Sequence, residues 1–173
     1  MEKLSTLQTE VTINSTKEKI WEIIFSRFGE VNLYNPGIDS SHYIKGNGGA
    51  VGCERHCQLD AKTEVRERIV SAETNKKMRI DIFDGNMPMM NKMLADMELV
   101  ELDNHRVIVR LVAHYNTKPA FMGAFVKGMM KAKFTDVLIG LKYFAETGKK
   151  VSKQSYKPIK SAYKNLEPQQ SFA

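Results

Sequence analysis

The order of periodic segments predicts an α+β domain in which an antiparallel sheet is covered by one long C-terminal helix. Three observations carry this. An alternating segment, Gln8 to Asn14, runs directly into a helix opened by Ser15-Thr16-Lys17-Glu18. Between about Val51 and Tyr115, alternating segments fold back on themselves at turn residues. Pro119 then opens a helical pattern that runs to Thr147 before Gly148, with proline and glycine standing where helix ends favour them. A sheet with one apolar face has to bury that face, and this helix, the longest element, covers it.

A chain of 173 residues with 42% hydrophobic and 27% charged content fits one globular domain, and excludes disordered, collagen-like and disulfide-scaffold classes. Apolar runs such as Ala120 to Val126 are far shorter than the roughly 18 residues of a membrane span. The N-terminus has neither an apolar core nor a cleavage pattern, so the expected compartment is the cytoplasm. Net charge is +6, of which +5 falls after Gly148, from Lys149, Lys150, Lys153, Lys157, Lys160 and Lys164 against Glu167. Residues 1–148 are therefore nearly neutral, without the basic face interleaved with aromatics that nucleic-acid binding needs. Cys53 and Cys57, four apart on a strand, stand roughly 13 Å from each other and are expected as free thiols. No metal-ligand spacing occurs among His42, His56, His105 and His114; neither a metal nor a cofactor is expected.

The first strand presents Val11 and Ile13 on one face, and the helix after it carries Ile20, Ile23, Ile24 and Phe28 at helical spacing beside Trp21, ending near Gly29. After the turns Asn35-Pro36-Gly37 and Gly46-Asn47-Gly48-Gly49, a meander begins whose register follows from the residues. With Ala61 at the centre of a hairpin loop, Leu59 faces Thr63, Cys57 faces Val65, Arg55 faces Glu67, Cys53 faces Ile69 and Val51 faces Ser71, all on one largely apolar face. The opposite face pairs Gln58 with Glu64, His56 with Arg66 and Glu54 with Arg68. A turn at Thr74-Asn75 adds Met78, Ile80 and Ile82 to the inner face and sets Asp81 outside, as an ion-pair partner opposite Arg68. A further hairpin at Asp103-Asn104 pairs Met93 with His114. Its preferred inner face then holds Met93, Ala95, Met97, Leu99, Ile108, Val112 and His114, along with Arg106 and Arg110, and the alternative face holds Leu94, Val100, Val107, Val109, Leu111, Ala113 and Tyr115, along with Asp96 and Glu98. The connection Gly85-Asn86-Met87-Pro88-Met89-Met90 is an adaptable greasy surface or packed core. On the long helix an apolar stripe runs Met122, Val126, Met129, Lys133, Val137, Gly140 and Phe144, with Lys127, Lys131, Lys142 and Glu146 opposite. Residues 149–173 read as a flexible basic tail, with docking on the body or contact with an acidic membrane or partner as alternatives.

Taken together, Trp21, Asn35-Pro36, Tyr43-Ile44-Lys45-Gly46, Val51-Gly52-Cys53-Glu54-Arg55, Glu67-Arg68-Ile69 and Phe144-Ala145-Glu146 resemble, in this order, the START-like (SRPBCC, birch-allergen-like) superfamily. That superfamily includes polyketide cyclases/dehydrases, lipid-transport proteins and the abscisic-acid receptors. The resemblance spans about Thr9 to Thr147 and implies the helix-grip fold for residues 1–148, with an internal apolar cavity that accepts lipids, sterols, hormones or polyketides. The fold does not fix an activity. The hairpin Asp60-Ala61-Lys62 is too short for the receptors' gating loop, so hormone sensing by that device is not implied.

Arg55 facing Glu67 on a cavity wall is costly to desolvate unless the two bond each other or a ligand. Either Arg55 anchors an anionic group while Glu67 holds it or moves a proton, or the two form a self-satisfied pair. Lys133 either reaches the cavity or snorkels past its rim. His114, if inward, suits acid/base work, and a hydrogen-bonded structural role stands beside that reading. No nucleophile elbow is present. The leading expectation is a binder, carrier or sensor of an apolar small molecule with a polar or anionic head. Arg55 and Glu67 would hold the head, with the tail along Met78, Ile80, Ile82, Met129 and Val137 and Lys133 nearby. The alternatives are a cyclase, aromatase or dehydratase using Arg55, Glu67 and His114, and an interaction module acting through the basic tail. Monomer and homodimer both remain open.

Overall fold

The computed structural model describes residues 4–87, 90–117, 119–167 and 170–172. Strand β1 (Ser5–Ile13) turns Leu7, Thr9, Val11 and Ile13 inward. Helix α1 (Lys17–Trp21) is capped by Thr16, one residue later than Ser15, with its hydroxyl accepting from the Lys19 amide at 3.3 Å. It continues through a π-helical turn (Glu22–Ser26) and a 3-10 segment (Phe28–Leu33), which bury Ile23, Ile24 and Phe28. Trp21 stacks on Phe25, with ring centroids 4.6 Å apart, as part of the core.

Six strands follow: β2 (Ser40–Lys45), β3 (Glu54–Gln58), β4 (Glu64–Glu73), β5 (Lys77–Gly85), β6 (Met90–Asp103) and β7 (Arg106–Thr117). With β1 they form one seven-stranded antiparallel sheet, ordered β1-β7-β6-β5-β4-β3-β2. The β3–β4 register is the predicted one, Arg55 opposite Glu67 and Cys57 opposite Val65 inside, His56 opposite Arg66 and Glu54 opposite Arg68 outside. Val51 does not join it: the residue lies in an exposed turn before β3, held by the amide of Gly52 on the Ile69 carbonyl. Asp81 stands opposite Arg68 as expected, but Arg68 bonds Glu54 at 2.8 Å instead.

The β6–β7 hairpin differs from expectation by one residue. Its tip is Asn104-His105, with Asp103 opposite Arg106, and a bulge near Glu101 shifts the ladder so that Met93 faces Tyr115 and Leu94 faces His114. A one-residue slip exchanges the faces of a whole strand. Val107, Val109, Leu111, Ala113 and Tyr115 are therefore buried, and His114 stands on the outer face with its Nε2 3.4 Å from Asp96.

After a 3-10 turn (Ala120–Met122), helix α2 (Gly123–Thr147) crosses the concave face and ends at left-handed Gly148, whose amide bonds the Phe144 carbonyl. Its buried positions include Val126, Met130, Leu138, Leu141 and Ala145, and each large apolar side chain placed there contributes about 1.5–3 kcal/mol. The helix is rotated relative to the predicted stripe. Lys133 is exposed, whereas Lys142 and Glu146, expected outside, are buried. Lys142 Nζ donates to the Thr12 carbonyl at 2.9 Å and to Glu146 at 2.7 Å, while Glu146 also accepts from the backbone and side-chain amides of Asn14 and from the Phe172 amide. The pair thus satisfies polar groups where α2 crosses the β1 edge of the sheet. Gly140 lets the helix approach so closely that a Cβ there would stand 2.0 Å from the Tyr34 carbonyl oxygen.

The segment after Gly148, expected as a flexible tail, contains helix α3 (Lys153–Lys164), capped reciprocally by Ser152 and Ser155. Val151, Tyr156 and Ile159 bury against Ile139, with Tyr143, Tyr163 and Phe172 packed around them. Docking occurs because Tyr156, Ile159 and Tyr163 share one side of α3, and because Asp136 receives both the Tyr156 hydroxyl and Lys160, each at 2.6 Å. No helix among the described residues is long and apolar enough to cross a membrane.

Candidate functional site

Strand register aligns one inner-face row across five strands: Arg55, Glu67, Ile82, Met93 and Tyr115 are successive cross-strand neighbours. The row is polar at its β3 end, apolar in the middle and ends on a phenol. A bulge in β5 makes it so: Glu67 faces Ile82 while Arg66 faces Asp84, leaving Phe83 between them. Such bulges bend a strand and re-aim its side chains. Gly85 permits the bend, since a Cβ there would meet the Glu64 carbonyl at 2.6 Å.

At the polar end, Arg55 is 4% exposed, and each of its three guanidinium nitrogens has a partner within the protein. Nε and Nη2 each reach Glu67 Oε2 at 2.5 Å, Nη1 donates to the Phe28 carbonyl at 2.6 Å, and the guanidinium lies 3.9 Å above the Phe28 ring. Tyr34 and Cys57 border the pair. Burial raises the Tyr34 phenol, and the positive charge of Arg55 offsets this only in part. Burial, with the Glu67 carboxylate beside it, pushes the Cys57 thiol up to about 12, so Cys57 stays protonated and unreactive at neutral pH. This is the geometry of the self-satisfied pair, with the guanidinium held by both a carboxylate and a carbonyl.

At the other end the grip is open. A cleft of about 160 Å³ is lined by Ile82, Phe83, Asp84, Gly85, Met87, Lys92 and Met93. Behind it Leu7, Met93, Ala113, Tyr115, Val126 and Met130 form a cluster on which Met87 and Met122 pack. Tyr115 is 1% exposed, and its phenol has no hydrogen-bond partner among the described residues. Burial raises its pKa. Lys92 is exposed on the rim without an ion pair among the described residues, whereas Asp84 is neutralised by Arg66 at 3.2 Å. A second groove, of about 320 Å³, runs outside the grip over the β1 edge between Glu10, Thr12, Ile108, Tyr163 and Glu167.

The residues expected to line the cavity thus separate. Met78 and Ile80 are core, packed with Met97, Leu99, Val109, Leu138 and Leu141 where the central cavity was expected. Ile82 alone of that set lines the open cleft. Met129 and Val137 are half-buried on α2, and Lys133 faces outward. The proposed trio does not assemble, because His114 stands on the opposite face of the sheet from Arg55 and Glu67. In the Met-rich connection Met87 is at the cleft, as a greasy surface requires, while Pro88 and Met89 lie outside the described residues. The sequence places Tyr115 only on the alternative face and gives Lys92 no role. The signal for Tyr115 was present in β7, whose odd-numbered positions 107–115 are all apolar or aromatic while the even ones include Arg106, Arg110 and His114.

A seven-stranded antiparallel sheet curled on a long C-terminal helix, open at one end, is the helix-grip architecture of the birch-allergen-like proteins. Residues 5–146 match the family described as polyketide cyclase/dehydrase and lipid transport, and the chain belongs to that family. No curated protein matches the chain in sequence. Similar solved structures include the Zhui aromatase/cyclase from Streptomyces sp. R1128 (TM-score 0.69, 12% identity, 83% of this chain and 94% of that one). Ara h 8.0201 has a TM-score of 0.68 at 17% identity over 82% and 97% of the chains. Norcoclaurine synthase from Thalictrum flavum has a TM-score of 0.65 at 11% identity over 80% and 84%. At these identities the likeness is one of fold.

Proposed function

We propose that the protein binds an apolar small molecule with a polar or anionic head at the open end of the grip, as a carrier or sensor. One observation carries the reading: the Tyr115 hydroxyl, which makes no hydrogen bond among the described residues, stands behind a cleft lined by Ile82, Met87 and Met93 whose rim bears Lys92, a cation without an ion pair among those residues. A phenol hydroxyl both donates and accepts, so it can engage a ligand hydroxyl or carbonyl. The cleft is smaller than the roughly 300–1,000 Å³ of drug-sized sites, so a longer ligand enters by re-rotation of Met87, Met93 and Met130, the unbranched side chains best suited to it. Arg55 and Glu67 act in this reading as the rigid wall beside Ile82, with Arg55 committed to Glu67 and Phe28. The family description adds support, since it covers lipid transport.

The test has two arms. Native mass spectrometry of freshly purified protein is expected to show a releasable adduct on the order of a few hundred daltons. Titration with 1-anilinonaphthalene-8-sulfonate, an apolar probe with an anionic head, is expected to give saturable binding. Tyr115→Phe, which removes one hydrogen bond of about 1 kcal/mol, should weaken that binding about fivefold, and Lys92→Glu should weaken it further. Absence of an adduct together with probe binding indifferent to both substitutions overturns the assignment.

A further inference from the structure

The 3-10 turn before α2 and the first turns of α2 expose what a helix normally buries. Phe121 is 83% and Phe125 61% exposed, the two most exposed large apolar side chains among the described residues. Helical spacing carries their side of the helix on to exposed Gly128, so this face is apolar where it points to solvent, while Val126 and Met130 face the core. Exposed lysines flank the strip, Lys127 and Lys131 on one side and Lys133 on the other. None of the three makes an ion pair among the described residues, and no acidic residue occurs between Asp103 and Asp136. The same turns of α2 pack on Met93 and Tyr115 behind the cleft, so the strip stands at the open end of the grip.

We infer that Phe121, Phe125 and their flanking lysines form a docking surface for an anionic lipid bilayer. The chemistry selects this partner. Aromatic side chains insert at the boundary between headgroups and acyl chains, and lysines along the same helix bind the negative surface. Lys133 therefore has a place that neither the cavity wall nor simple snorkelling provides. Exposed apolar area without lysines would suit a second copy of the chain, but a second copy would bring the same cations into contact. The surface stands apart from α3, two of whose lysines are already engaged: Lys160 with Asp136 and Lys153 with Asp39. The inference goes beyond ligand binding and does not depend on it.

Co-sedimentation of the full chain with vesicles tests it. Binding is expected to vesicles of phosphatidylcholine containing about one third phosphatidylserine, on the order of a hundredfold tighter than to phosphatidylcholine alone, at about a factor of five per lysine. High salt should reduce the difference. Phe121→Ser with Phe125→Ser, and separately Lys127→Glu with Lys131→Glu, should abolish the binding at an unchanged thermal midpoint, since these side chains are exposed. Charge reversal at Lys149, Lys150 and Lys157 should leave it in place. Equal binding to both vesicle types, retention by the double-serine variant, loss only in the Lys149, Lys150 and Lys157 variant, or a wild-type dimer in light scattering that the serines dissociate overturns the inference. Probe affinity of the double-serine variant, measured without vesicles, separates failure here from failure of the ligand site.

Discussion

Replacing Glu67 by Gln keeps the shape of the side chain and removes the charge that faces Arg55. The guanidinium retains the Phe28 carbonyl at 2.6 Å and the Phe28 ring at 3.9 Å, but at 4% exposure it has no solvent to replace the lost carboxylate. Removing one partner of a buried pair costs about 3–5 kcal/mol, and the contacts that remain place this variant near about 3 kcal/mol. For a chain of this size each kcal/mol moves the melting point by about 2–4 °C, so a drop of about 6–12 °C is expected in thermal unfolding followed by circular dichroism. The paired replacement Arg55→Met with Glu67→Leu should recover most of the loss, because apolar residues of similar volume restore packing without a desolvated charge. Affinity for the naphthalene sulfonate probe should be unchanged in both, since Arg55 is committed to the protein. Melting within about 2 °C of the wild type, accompanied by a tenfold loss of probe affinity, would refute this reasoning and make Arg55 the ligand anchor.

Three further outcomes follow from the same physics. Asp96 is buried, which by itself would raise its pKa, but hydrogen bonds from Arg79 and Lys77 outweigh that and hold it at about 2. Its contribution of about 1–2 kcal/mol, reduced because both partners are partly exposed, is present above about pH 4 and lost as pH falls towards 2. Asp96→Asn should therefore lower stability at neutral pH and flatten the acid limb of a urea-midpoint profile, and an unchanged profile would count against it. The Cys57 thiol, pushed up to about 12, keeps its proton in the folded state. Its linked stability is lost as pH rises from about 9 towards 12, and iodoacetamide at pH 8 should leave Cys57 unlabelled until the chain unfolds, as read by peptide mass mapping. Gly140→Ala gains about 1 kcal/mol of helix propensity but places a methyl 2.0 Å from the Tyr34 carbonyl oxygen. A net loss of more than about 2 kcal/mol is expected in denaturant titration, where a stabilised protein would be the contrary result.

The sequence by itself determined the class of the fold, the order of its elements and the β3–β4 register. Each of these depends on patterns within one strand, one turn or one helix end: alternation through Arg55 and Cys57, a tight loop at Ala61, and Pro119 and Gly148 bracketing the long helix. The β6–β7 face was legible strand by strand, yet the pairing failed, because a bulge near Glu101 adds one residue that no local pattern announces. That single residue moved His114 outside and brought Tyr115 in. The rotation of α2 was also a tertiary decision. Lys142 and Glu146 look like solvated charges on a helical wheel, and only the β1 edge, with its Thr12 carbonyl and Asn14 amides, makes their burial favourable. The residues after Gly148 read as a tail because lysines dominate their composition, while the apolar groove that receives Val151, Tyr156 and Ile159 exists only once α2 is in place. Arg55 and Glu67 were found from sequence because strand pairing alone brings them together. Whether their donors and acceptors are left free for a ligand depended on the Phe28 carbonyl, 27 residues away in the chain, which only the assembled fold puts beside Arg55.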